Sequence, residues 1–125
     1  MTDAPDIGVA RVYDGPGDAQ HARLLVDRLW PRGISKELLR ADLWMKEAAP
    51  STELRKWYHH DLSKLEEFKQ RYFSELDANQ DAVKLLLEIA NKGRLTLLYS
   101  AKDTEHNQAV VLREYLLARS KSQAG

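Results

Sequence analysis

Hydrophobic residues recur along this chain with two periods, one near two and one near 3.6. The short period marks strands. Ile7–Tyr13 carries the β-formers Ile7, Val9, Val12 and Tyr13, and Ala22–Trp30 is apolar on both faces around Leu24, Leu25 and Val26. Alternation in that second segment puts Leu24, Val26, Arg28 and Trp30 on one face and Leu25, Asp27 and Leu29 on the other. Pro31 and Gly33 end it, and Leu43–Lys46 reads as a short third strand. Arg94–Tyr99 is a compact buried strand.

The long period marks helices. A first one, capped by Ser51 or Thr52, carries Leu54, Trp57 and Tyr58 on one stripe. A second follows a capping box of Ser63 and Glu66, with Leu65, Phe68, Tyr72 and Leu76 inward. A third opens at Asn79, buries Val83, Leu86, Leu87 and Ala90, and stops at Gly93. A last one, capped by Asp103 or Thr104, has a stripe of Val111, Leu112, Tyr115 and Leu116.

Strands interleaved with helices predict an α/β fold: a small sheet of about four strands, at least partly parallel, with helices packed on its faces. The segment 22–30 is expected parallel beside 94–99, since both look central. Dense turn chemistry at Asp14-Gly15-Pro16-Gly17-Asp18 predicts an antiparallel pairing of the first two strands. The domain is expected over residues 7–119, with flexible ends at 1–6 and 120–125.

Composition adds exclusions. The 125 residues suit one domain, and 43% apolar with 30% charged residues is ordinary globular usage. The absence of cysteine removes disulfides, thiolate catalysis and Cys-based zinc sites, and fits a reducing compartment. No signal-like or bilayer-length apolar run occurs, so a soluble, cytoplasmic protein with no membrane partner is expected. Lysine plus arginine equals aspartate plus glutamate at 19 each, which argues against a global basic field for nucleic acid. Residues 21–40 are locally basic, with Arg23, Arg28, Arg32, Lys36 and Arg40 against Asp27 and Glu37.

Open α/β sheets bind ligands beyond the carboxyl ends of their strands. Two such ends here carry chemistry, Asp27 through Gly33 and Tyr99 through Asn107. The second runs into a helix start, whose backbone N–H groups form a ready anion site. Asp27, Arg28, Trp30, Arg32, Tyr99, Ser100, Lys102 and Asn107 are the candidate ligand-binding residues. Asp103 and His106 are the candidates for moving protons. Arg28 has two readings, an anion clamp or a structural arginine paired with Asp27 or Asp103. Trp30 also reads as a core or rim aromatic, Asp103 as a cap, and His106 and Lys102 as surface residues. Ser100 lacks the G-x-S-x-G elbow of a hydrolase nucleophile. Adjacent His59 and His60 do not form an i, i+4 metal pair, so no metal site is read, and no nucleotide fingerprint or cofactor motif is present.

Three runs are distinctive: Leu25-Val26-Asp27-Arg28-Leu29-Trp30-Pro31-Arg32-Gly33-Ile34-Ser35-Lys36, Ala49-Pro50-Ser51-Thr52-Glu53-Leu54-Arg55-Lys56-Trp57, and Leu97 through Ala109. In this order they resemble the YeaO-like family, a bacterial domain family of unknown function, over roughly residues 7–118. The resemblance implies a small cytoplasmic α/β protein and supplies no reaction. Broader relatives carry cysteines and a Cys-His-Arg stretch at the start of the last helix. This chain has Asn107-Gln108-Ala109 there, so metal or thiol chemistry does not carry over.

Three functions compete at this point. The first is a site for a small anionic ligand bearing phosphate or carboxylate, with or without catalysis. The second is a nucleic-acid-binding accessory protein using the local arginines and Trp30. The third is a non-catalytic interaction module or homodimer built on Trp44, Trp57 and Tyr58. Whether the chain is an enzyme is left open by the sequence.

Overall fold

The run Leu95-Thr96-Leu97-Leu98-Tyr99 buries side chains on both of its faces, and a strand of that kind belongs in the middle of a sheet. A computed structural model, which describes residues 6–14, 22–39, 41–59 and 61–124, places it there. The strands are β1 (Ile7–Arg11), β2 (Ala22–Leu25), β3 (Leu43–Trp44) and β4 (Leu95–Tyr99), in the order β1-β4-β2-β3. Every pairing is parallel. Leu24 faces Leu97 and Leu25 faces Leu98, as expected for neighbouring central strands. The antiparallel pairing expected of the first two strands is not formed, because β4 lies between them. A hairpin there would have left the apolar β4 without a partner on one side. The turn residues 15–18 that prompted that expectation lie outside the described residues, as do Arg40, His60 and residues 1–5.

The strands are shorter than the apolar pattern. β1 gives way to a 3-10 turn at Val12–Asp14, and β3 pairs only at Leu43 and Trp44. β2 closes at Leu25, and one further bond, from Val26 N–H to Leu98 O at 3.0 Å, joins it to β4. The first amide beyond β4, that of Ser100, bonds the Asp27 side chain instead of continuing the ladder. Alternation therefore breaks after Val26. Trp30 does not join the Leu24 face; it packs with Val12, Leu25, Leu39 and Leu98 on the opposite one.

The two faces are covered unequally. The larger core joins Leu24, Val26, Leu95, Leu97 and Tyr99 to helices α2 (Thr52–Tyr58), α3 (Leu65–Asp77), α4 (Gln80–Lys92) and α5 (Gln108–Ala124). Among the described residues the other face has only the short α1 (Lys36–Leu39) and its flanking loops. Phe68, Tyr72 and Leu76 on α3, and Val83, Leu86, Leu87 and Ala90 on α4, are the buried stripes that the 3.6 period predicts. Ser51 caps α2 by accepting from Leu54 N–H at 3.1 Å. The Ser63–Glu66 capping box is not formed. Asp61 takes the Ser63 N–H at 3.0 Å, residues 62–64 turn as a 3-10 helix, and α3 begins at Leu65. Asn79 does precede α4, yet its side chain donates to Glu47 O at 2.9 Å rather than capping. α5 continues past residue 119, where composition placed the domain's end. Among the described residues no helix is long and apolar enough to cross a membrane.

Leu97 is fully buried on β4, whereas Leu85 on α4 is 39% exposed. Leu97→Ala is expected to cost about 2–5 kcal/mol, and Leu85→Ala under about 1 kcal/mol, as measured by chemical denaturation.

Candidate functional site

Four parallel strands end at one edge of the sheet, and the chain leaving that edge builds a cleft of about 610 Å³. The residues after β2 line one part, from Asp27 to Arg32. The loop between β4 and α5 supplies Ser100, His106, Asn107 and Gln108. α2 supplies Arg55, Lys56, Tyr58 and His59.

Asp27 joins these parts. Its side chain is almost wholly buried, at 7% exposure. One carboxylate oxygen accepts the Ser100 backbone N–H at 3.1 Å and the Ser100 hydroxyl, and the other accepts the Gln108 side-chain amide. Its own carbonyl accepts the Trp44 indole N–H at 2.7 Å, tying in β3. Burial pushes the Asp27 carboxyl above the usual carboxylate value. The hydrogen bonds from Ser100 and Gln108 and the charge of Arg55 oppose that rise without cancelling it.

Arg28 pairs with neither Asp27 nor Asp103. Its guanidinium donates to Pro50 O at 3.0 Å and Ala49 O at 3.3 Å. Tyr72 donates its hydroxyl to Ala48 O, and Glu75 accepts the Ser51 N–H at 2.8 Å and hydroxyl at 2.6 Å. Residues 48–51 are thus clasped from both sides, which fixes where α2 starts and so where Arg55, Lys56 and His59 project. A guanidinium has five N–H donors, and Arg28 still lines the cleft while holding these two carbonyls.

The helix-start anion site expected at residues 102–106 is already filled by a side chain. Asp103 accepts the N–H groups of Glu105 at 2.9 Å and His106 at 3.0 Å. These bonds, and His106 beside it, hold its carboxyl below the usual range. α5 begins later than expected, at Gln108, and Asn107 rather than Asp103 or Thr104 caps it, accepting the Val110 N–H at 3.1 Å. Asp103 contacts the His106 Nδ1 at 3.0 Å, and that imidazole reaches the cleft. The arrangement orients a histidine through a carboxylate, as acid–base sites do.

Of the candidate residues, the cleft lining brings together Asp27, Arg28, Trp30, Arg32, Ser100, His106 and Asn107. Asp103 stands behind His106, Tyr99 is buried in the core, and Lys102 is exposed outside the lining. Arg23 does not contribute to the basic patch. It is 4% exposed and donates to Leu39 O at 3.2 Å. Lys36 lies on α1, away from the cleft lining.

Sequence reasoning missed Arg55, Lys56, Tyr58, His59 and Gln108. Arg55 lies on α2, and His59, four residues on, caps the helix with its N–H bonded to Arg55 O at 2.9 Å, beside the buried Leu54 and Tyr58. That spacing, with the distinctive run through Lys56, was the available signal. His59 ends α2 in the left-handed region, with φ 43° and ψ 41°. It is the one non-glycine residue with positive φ among the described residues, a conformation that side chains seldom adopt without a local requirement. Among the described residues no cluster of His, Asp and Glu could hold a metal ion.

Residues 6–125 match a family model described as the inactive DUF488-N3 subclade. The chain belongs to this family. The uncharacterized protein YeaO of Escherichia coli is 48% identical over 111 residues, covering 89% of this chain and 96% of that protein. This agrees with the YeaO-like resemblance read from the three motifs. Uncharacterized proteins of Mycobacterium bovis and Mycobacterium tuberculosis are each 39% identical over 115 residues, covering 90% of this chain and 95% of theirs. No solved structure matches the chain.

Among the described residues every partner of the Asp27 carboxylate is a donor. Asp27→Asn puts an amide against one of them and is expected to cost about 1–3 kcal/mol. Asp27→Asn with Gln108→Glu restores a donor–acceptor match and should recover most of that loss in denaturant melts. The raised carboxyl pKa means the folded state keeps its proton to higher pH than the unfolded chain. This group's contribution is full below the usual carboxylate pKa and is lost as pH rises through the raised value. Asp27→Asn should flatten that stretch of the stability–pH profile.

Proposed function

We propose that the cleft binds a small phosphate- or carboxylate-bearing molecule. One observation carries this reading. Arg28, Arg32, Arg55 and Lys56 line the cleft, and Asp27 is the one carboxylate that joins them among its described lining residues. That carboxylate is already engaged by Ser100 and Gln108. Arg32, Arg55 and Lys56 form no ion pair among the described residues. Four cations gathered around one carboxylate, on which Arg55 already acts, repel one another, and an anion relieves that repulsion. Arginine forks add directional hydrogen bonding to phosphate or carboxylate oxygens.

Recognition here rests on side chains rather than on a helix N-terminus, whose first donors Asp103 has taken. The family description, an inactive subclade, supports binding without turnover. Under that reading His106, oriented by Asp103, serves as a further donor to the ligand, not as a proton-transfer group.

Arg32, Arg55 and Lys56 are exposed, so replacing them leaves the core intact. The Arg32→Ala, Arg55→Ala, Lys56→Ala triple variant should melt within a few degrees of the parent. It should lose the thermal stabilisation that millimolar phosphate esters give the parent at low salt. Loss of each cation should weaken binding by about threefold to thirtyfold. A parent chain whose melting is indifferent to phosphate esters and to small carboxylates would remove the reading.

A further inference from the structure

The cationic side chains occupy only part of the cleft; aromatic and aliphatic side chains make another. Tyr13 is the most informative of them. Its hydroxyl donates to the carbonyl of Arg32 at 2.9 Å. The Arg11 guanidinium lies 4.7 Å from its ring centroid, and Arg11 is itself fixed by a bond to Ala101 O at 2.9 Å. The ring is therefore held at its tip and on one face. It nevertheless remains 41% exposed and lines the cleft. Leu29, 64% exposed, and half-buried Trp30 line the same cleft.

A ring immobilised before any ligand arrives loses little entropy when another ring stacks on it. The bond to the Arg32 carbonyl also ties this ring to the backbone of Arg32, whose exposed side chain lines the same cleft. A cleft of about 610 Å³ holds far more than an inorganic anion and falls within the usual range for small-molecule sites. We propose that the ligand is a phosphate monoester carrying a flat ring, of the nucleoside monophosphate class. Its ring lies against Tyr13, and its phosphate lies among Arg32, Arg55 and Lys56. This assignment rests on the anion-binding reading and narrows it.

Calorimetric titration of the whole chain with adenosine monophosphate, ribose 5-phosphate and adenosine separates the two claims. Adenosine monophosphate should bind about tenfold or more tightly than ribose 5-phosphate, the usual scale of one base–aromatic stack. Tyr13→Leu should erase that difference, and Tyr13→Phe should keep most of it. Equal affinity for the two phosphates overturns the ring assignment and leaves the anion site standing. Adenosine binding as tightly as its monophosphate, or no binding of either phosphate, overturns both. A single-stranded trinucleotide that outcompetes the mononucleotide several-fold would make the cleft one stop on a nucleic-acid track and overturn the small-molecule assignment.

Discussion

The carboxylate of Asp27 is the constraint on which the cleft edge of this protein depends. It sits just past the end of β2, nearly buried, and both of its oxygens are used. Through Ser100 it takes the first amide beyond β4, and through Gln108 it holds the first turn of α5. A lone buried carboxylate is costly. With charge-assisted donors on every side it becomes a rigid joint. The two central strands consequently end together, and the loops that follow them diverge around a cleft.

A second joint sets the opposite wall. Arg28, Tyr72 and Glu75 hold residues 48–51, and that clasp aims α2 so that Arg55, Lys56 and His59 face the cleft. The two joints draw on side chains from the sheet edge and from α3. The loops that line the cleft are therefore tied to the sheet and to α3. Buried polar groups do structural work on its inner side, and exposed cations stand on its rim.

Much of this was readable from the chain, for reasons particular to each segment. Leu95, Leu97 and Leu98 had to be central because they are apolar on both faces, and that predicted the parallel β2–β4 pair. The α3 and α4 stripes followed from a period that packing preserves. The β1–β2 relation was misread because turn-rich residues at 14–18 resemble a hairpin, while the demand of β4 for partners on both sides outweighs any local turn preference. The cap of α5 was misread because Asp103, Thr104 and Asn107 all carry capping chemistry, and only tertiary contacts decide among them. Arg28 and Arg32 were found at the cleft by strand-end reasoning. Arg55 and His59 were not, because the site lies between elements far apart in sequence and nothing local in a helix tells which polar face meets a cleft.

The Ser100 amide reports most directly on the Asp27 joint, and nuclear magnetic resonance can follow it as pH is lowered. If the joint is as described, that amide exchanges slowly with solvent. Its chemical shift then titrates with an inflection above the usual carboxylate value, tracking the Asp27 carboxyl. A Ser100 amide that exchanges like an open loop and shows no such inflection would contradict the account.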